Sequence, residues 1–354
     1  MTLLSGPVVI TGIVVTGLVL VLLLSVGAAH VARRRREQRD AARQAALVPL
    51  VYALLDGEEA DADLADAPAV LDEVVLHLLP QLRGSDRKVL QDVLVARGVV
   101  ERAAADLTAR AAWRRGRAAM LLGYTASTAH TAGLITLLAD RSSQVRCAAA
   151  RALGKAGDVA AAPHLLAALT AERTLPSGIV GMALLDLGTA ALPALREALT
   201  SGTAPARALA ASLLGLHGDL QGTPTLTLTL ADGGQPVDVR RAAAEALGRI
   251  SSPRATDPLC HALAFSAEPV LRHAAAEALG RIGDPAAAPT LVAGMAADDP
   301  GVRAACADAL GALGPDGRSW LTQLADGEGP AAGTARGALD ALAARSPRLQ
   351  PVAG

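Results

Sequence analysis

The chain has 354 residues, with 33 Lys and Arg against 34 Asp and Glu and a net charge of −1. That balance, with aromatic residues at only 1%, excludes the basic, ring-lined groove used by readers of single-stranded nucleic acid. Apolar residues make up 51% of the chain. A core built mostly of Ala and Leu fits thin, closely packed helices and argues against a sandwich or barrel.

After a short N-terminus (residues 1–6), residues 7–31 carry a run from Pro7 to Ala29 without a charge. A helix of that length reaches about 34 Å, enough for a hydrocarbon core of roughly 30 Å. A cleaved signal peptide is the competing reading, but it needs a basic n-region and a shorter apolar stretch. No Lys or Arg precedes Pro7, whereas Arg33, Arg34, Arg35, Arg36 and Arg39 follow directly. The sequence therefore predicts one transmembrane helix in the cell membrane, with the N-terminus outside and the remainder cytoplasmic.

Residues 32–69 form a linker, basic at first, then an apolar helix candidate over 45–55 interrupted by Pro49, then acidic from Asp56 to Asp66. The arginines read as a topology signal and lipid-headgroup contact rather than a nucleic-acid site. Residues 70–111 keep helical periodicity. Leu71, Val74, Val75, Leu78 and Leu79 share one face, and Val89, Leu90, Val93 and Leu94 another. These helices are expected to cap a repeat array that begins at residue 112.

From 112 to 345 one pattern recurs: Val-Arg-x-x-Ala-Ala-x-Ala-Leu-Gly, a turn, then a Leu-rich segment, with clean copies starting at Val145, Val239, Leu271 and Val302. A fixed period of this length means stacked helix pairs. Registered on Gly123, Gly154, Gly188, Gly215, Gly248, Gly280 and Gly311, the intervals are 31, 34, 27, 33, 32 and 31 residues. Arginine stands eight residues before the glycine at Arg115, Arg146, Arg207, Arg240, Arg272 and Arg303, with Val180 the exception, and Arg336 opens an eighth, partial copy. Val239, Ala243, Leu247 and Ile250 lie on one helical face, and the glycine is expected to end the helix in a left-handed conformation. Asp158, Asp219 and Asp284 suit the turn after it, and Pro163, Pro193, Pro224, Pro258 and Pro289 suit the start of the second helix. The short interval and the Pro176–Gly178 break predict a bend or lost turn. Residues 346–354 form a tail.

This helix pair, with its V-R-x-x-A-A-x-A-L-G and G-D-x-x-A-x-P signatures, resembles the HEAT repeats, specifically the short type named after phycobilisome-linker lyases. The layout of span, charged linker and Ala/Arg-rich repeats is also similar to single-pass HEAT proteins of actinobacteria. The expected fold is all-α, a right-handed α-solenoid of HEAT-like pairs preceded by the transmembrane helix. The resemblance implies that the recurrent Arg and Asp hold repeats together and that the second helices line the concave face. On those helices His164, Thr225, Thr227, His261 and Trp320 are partner-binding candidates, joined by Trp113. Both tryptophans also read readily as packing residues.

No sequence signal points to a catalytic, cofactor or metal site. The widely spaced Cys147, Cys260 and Cys306 read as reduced core thiols. The histidines lack metal-ligand spacing, and no phosphate loop or nucleophile elbow occurs. The expected function is a membrane-tethered cytoplasmic scaffold or adaptor. Its partner would be a protein, with an envelope enzyme such as a glycosyltransferase fitting the layout, and neither nucleic acid nor a small-molecule substrate. The alternative is a ligand-modifying enzyme of the phycobilin-lyase type, suggested by the repeat's family name.

Overall fold

The computed structural model describes residues 47–56, 70–170 and 172–345, and their regular structure is helical throughout. The predicted transmembrane segment, most of the linker and the tail 346–354 lie outside the described residues. The chain divides into two compact units at the Arg102–Ala103 bond.

In the first unit, the described part of α1 covers residues 47–55. It is followed by α2 (Val70–Leu78), α3 (Gly84–Ala96) and α4 (Val99–Asp106), whose last turn passes into the second unit. Leu71, Val74, Val75 and Leu79 on one predicted face, and Leu90, Val93 and Leu94 on the other, are buried. Asp72, itself buried, takes Arg97 at 2.5 Å and Arg102 at 3.3 Å. This pairing carries no sequence signature.

The second unit is a stack of helix pairs. In order they are α5 (Ala112–Tyr124) with α6 (Thr131–Leu137), α7 (Ser143–Ala156) with α8 (Ala162–Ala167), α9 (Ser177–Asp186) with α10 (Leu192–Ser201), and α11 (Ala204–Leu216) with α12 (Thr223–Ala231). Then come α13 (Val237–Ile250) with α14 (Thr256–Phe265), α15 (Pro269–Ile282) with α16 (Ala288–Gly294), α17 (Pro300–Ala312) with α18 (Pro315–Ala325), and α19 (Pro330–Arg345). First helices pack on first helices and second on second, so the core runs between two layers. Val145, Ala149 and Leu153 show the buried stripe of one first helix, and Leu165 and Leu166 that of its partner.

Two glycine series, not one, set the repeat. Gly123, Gly154, Gly215, Gly248 and Gly280 stay helical, and a Cβ on each would lie 2.6–2.9 Å from the Cα of Ala152, Ala183, Ala246, Ala278 and Ala309 respectively. These glycines let neighbouring first helices touch backbone to backbone. The left-handed residues come three positions later, at Ala126, Gly157, Gly188, Gly218, Ser251, Gly283 and Gly314, with φ between 50° and 78°. Gly188 therefore belongs to the second series, which corrects the sequence register. Counted on left-handed residues the intervals become 31, 31, 30, 33, 32 and 31, and no turn is lost. At the packing position α9 carries Leu185, and at the arginine position Ser177 rather than Val180.

The arginines of the ladder donate mainly to backbone carbonyls. Arg146 Nη1 donates to Asp140 O at 2.9 Å, Arg207 Nη1 to Gly202 O at 2.8 Å, and Arg240 Nε to Leu230 O at 2.9 Å. Arg272 Nε reaches Leu263 O at 3.0 Å, Arg303 Nη1 reaches Ala297 O at 2.6 Å, and Arg336 Nε reaches Ala325 O at 2.9 Å. Each guanidinium caps carbonyls at the end of the preceding second helix, where no intrahelical donor remains. Arg115 alone in this series adds a carboxylate, gripping Asp140 through Nε at 2.6 Å and Nη2 at 2.9 Å.

Asp158 and Asp284 accept from Ala160 N and Ala286 N, each at 3.0 Å, capping the 3-10 turns before α8 and α16. Asp219 makes no such cap and instead pairs with Arg196 at 2.8 Å. Proline stands second in α8, α10, α12 and α16, where its missing N–H costs nothing.

The layers differ in spacing. Second helices leave a cleft of about 320 Å³ between α8 and α10, and another of about 690 Å³ beside α12. The first layer has a depression of about 450 Å³ between the N-terminal halves of α11 and α13.

Candidate protein-binding surface

Helical geometry turns one row of each first helix outward. Along α5 this row is Trp113, Arg117, Met120 and Tyr124, spaced four, three and four residues apart, as one helical face requires. Trp113 is 69% exposed, and Met120 is exposed beside it. The 31-residue register brings Arg151 and Lys155 on α7 alongside Met120 and Tyr124, and Met182 and Asp186 on α9 alongside those. Met182 is 58% exposed. Lys155 Nζ sits 4.1 Å from the centre of the Tyr124 ring, an electrostatic attraction of cation for π-face. On α11 the row continues with Leu216, 58% exposed. Large exposed apolar side chains on neighbouring helices, interspersed with charged ones, mark a candidate contact site.

Charge is arranged unevenly along this face. Near α5 the carboxylates are taken: Asp106 by Arg114 at 2.5 Å and Asp140 by Arg115 at 2.6 Å. Arg151 is exposed and no carboxylate pairs with it or with Lys155 among the described residues. Farther along, the same row neutralises itself. Glu245 accepts from Arg241 at 2.5 Å and lies 3.9 Å from Arg249, and Glu277 holds Arg281 at 3.3 Å and His273 at 3.5 Å.

The profile of the HEAT repeats matches residues 101–175, 192–278 and 257–343, more than half of the chain. The chain belongs to the HEAT repeat family. Comparison with curated proteins finds no match. Among solved structures, human deoxyhypusine hydroxylase in complex with glycerol is 18% identical, over 86% of this chain and 98% of that one, with a TM-score of 0.32. The complex of CpcE and CpcF of phycocyanin lyase from Nostoc sp. PCC7120 is 25% identical over 42% of this chain and 98% of that one, TM-score 0.34. Kap121p is 17% identical over 77% of this chain and 37% of its own, TM-score 0.49. The family assignment rests on the matched repeats and not on these likenesses.

Within the HEAT array the six sequence candidates do not converge. Trp113 lies on the first layer. His164 on α8 and His261 on α14 are exposed, Thr225 and Thr227 on α12 are half-buried, and Trp320 on α18 is exposed, all in the second layer. Trp113 is largely exposed, and Trp320 is 39% exposed. His261 contacts the exposed Phe265, ring centres 4.8 Å apart. Sequence reading passed over Met120, Tyr124, Arg151, Lys155 and Met182. Their signal was positional: each stands a fixed distance from the packing residue of its own HEAT repeat.

The titratable groups of the array serve its framework. The Arg115 guanidinium holds the Asp140 carboxyl below the usual carboxylate range, and the Ala286 N–H followed by the Thr256 hydroxyl does so for Asp284. Burial pushes the Cys306 thiol up to about 12, and the Cys260 thiol upward as well. A protonated thiol is neither a nucleophile nor a metal ligand. Among the described residues no three His, Cys, Asp or Glu side chains gather as a metal site.

Proposed function

We propose that this HEAT protein is a membrane-tethered cytoplasmic scaffold or adaptor that works by binding a protein partner rather than by catalysis. The observation that carries this reading is the set of exposed first-layer side chains Trp113, Met120 and Met182. Trp and Tyr supply much of the energy at protein interfaces, and Met adapts its shape to a partner. The tether is the apolar segment 7–31 with its following arginines. Among the described residues no single helix is long and apolar enough to span a membrane. The bent pair Ser177–Asp186 and Gly188–Ser201, folded by 115°, passes on length and composition only, and its Val180, Leu184, Leu195 and Leu199 are buried in the array.

Tethering confines the partner search to the membrane plane and raises effective concentration, so a shallow site suffices. A membrane-associated enzyme such as a glycosyltransferase is the partner class this arrangement serves. Proximity labelling from the C-terminus in the native cell tests it. A reproducible membrane-associated protein neighbour is expected, and labelling confined to bulk lipid-adjacent proteins would remove the reading.

A further inference from the structure

The first-layer face is chemically divided, and on its N-terminal part Arg151 and Lys155 make no ion pair among the described residues. Across α5, α7 and α9, the row holds Trp113, Met120, Tyr124 and Met182 interleaved with the cations Arg151 and Lys155. The nearby carboxylates Asp106 and Asp140 are already committed to Arg114 and Arg115. Asp186, at the far edge on α9, makes no ion pair with Lys155. Lys155 is steered over the Tyr124 ring, which positions its ammonium without neutralising it. Two cations thus sit between apolar anchors without an ion pair among the described residues, whereas at equivalent positions on α13 and α15 each cation meets a glutamate.

We infer that this surface on α5, α7 and α9 docks an acidic segment of the partner protein, one that carries carboxylates between bulky apolar side chains. The inference deepens the adaptor reading and rests on it. Carboxylates supply the charge missing opposite Arg151 and Lys155, and a bidentate contact suits the guanidinium of Arg151. Apolar side chains cover Trp113, Met120 and Met182, which excludes water from those ion pairs and strengthens them. A basic segment would meet like charge, and a purely apolar one would leave both cations desolvated and unpaired. The backbone contacts Gly123–Ala152 and Gly154–Ala183 hold the three helices at fixed spacing, so the site is formed before the partner arrives.

A photocrosslinking benzoylphenylalanine, placed in the full-length chain in its native membrane at Met120 or at Met182, tests this, with the Asp308 position as control. The captured segment should carry net negative charge beside bulky apolar residues. Arg151→Glu with Lys155→Glu should cut its yield several-fold, Arg151→Gln with Lys155→Gln by less, and Arg281→Glu should leave it unchanged, with all variants keeping the parent melting temperature. A captured segment that is neutral or basic overturns the inference, as does equal capture from Asp308 or a yield indifferent to both double variants. Capture from other faces with none from Met120 and Met182 also overturns it, while leaving the adaptor reading intact. Failure to capture protein from any position removes both.

Discussion

The face built by α5, α7 and α9 and the face built by α13, α15 and α17 rest on the same framework and present opposite chemistry. In both, a glycine meets the backbone of an alanine in the next helix, and an arginine caps the carbonyls of the helix before it. Three residues before the packing position, however, the first face carries Met120, Arg151 and Met182, and the second carries Glu245, Glu277 and Asp308. One residue after that position, Tyr124 and Lys155 stand opposite Arg249 and Arg281. The repeat constrains what is buried between helices and leaves the outward row free. One half uses that freedom for apolar anchors and unpaired cations. The other uses it for i,i+4 ion pairs that need no partner.

If the two halves differ only in this outward row, framework substitutions must cost the same in each. Gly123→Ala and Gly248→Ala force a methyl into the neighbouring helix backbone and should each destabilise by about 1–3 kcal/mol, despite alanine's better helix propensity. Chemical denaturation checks this, and a large disparity would show that the halves differ below the surface. Arg146→Ala and Arg272→Ala should each lose about 0.5–1.5 kcal/mol by releasing helix-end carbonyls. Loss of partner capture at unchanged stability would assign those arginines to recognition instead.

Ser251 holds φ at 53° where five of the other repeats use glycine. Ser251→Gly should therefore stabilise by about 1 kcal/mol, read as a raised melting temperature. Smallest is Glu245→Gln, which breaks the half-buried Arg241–Glu245–Arg249 ladder and should cost about 0.3–0.5 kcal/mol, a difference that added salt reduces.

Acid gives a further comparison between the ends of the array. The folded pKa values of Asp140 and Asp284 are both depressed. Their stabilisation is thus present above the unfolded carboxylate value and lost as pH falls through the folded one. Melting curves across that range should show Asp140→Asn and Asp284→Asn with shallower acid dependence than the parent chain.

Much of the framework was legible because it repeats. The helix pairs and the prolines opening the second helices follow from residue type at fixed spacing. The register failed at α9 for a definite physical reason. Gly154 and Gly157, Gly215 and Gly218, Gly280 and Gly283 come in pairs three residues apart, one for close packing and one for a left-handed turn. The third copy keeps only Gly188, and a string of letters does not say which duty a lone glycine performs. The neighbouring backbone decides it. The binding face was missed for the complementary reason: motif reading selects what recurs, and Trp113, Arg151 and Met182 matter as departures. Trp320 and His261 were candidates by residue type, but layer membership separates them from Trp113.

The substitution of Leu185 for a packing glycine reaches beyond its own contacts. A leucine cannot let α11 approach as the glycines do elsewhere, and the α9–α11 junction is the thinnest in the first layer. In a one-dimensional stack, stability is a sum of unit and junction contributions, so the array parts first at its weakest junction. Unfolding should accordingly proceed in two blocks divided near residue 202, with amide exchange on either side reporting separate opening energies. The cationic, aromatic face and the self-paired ladder then lie in different cooperative blocks, and one can loosen while the other stays closed.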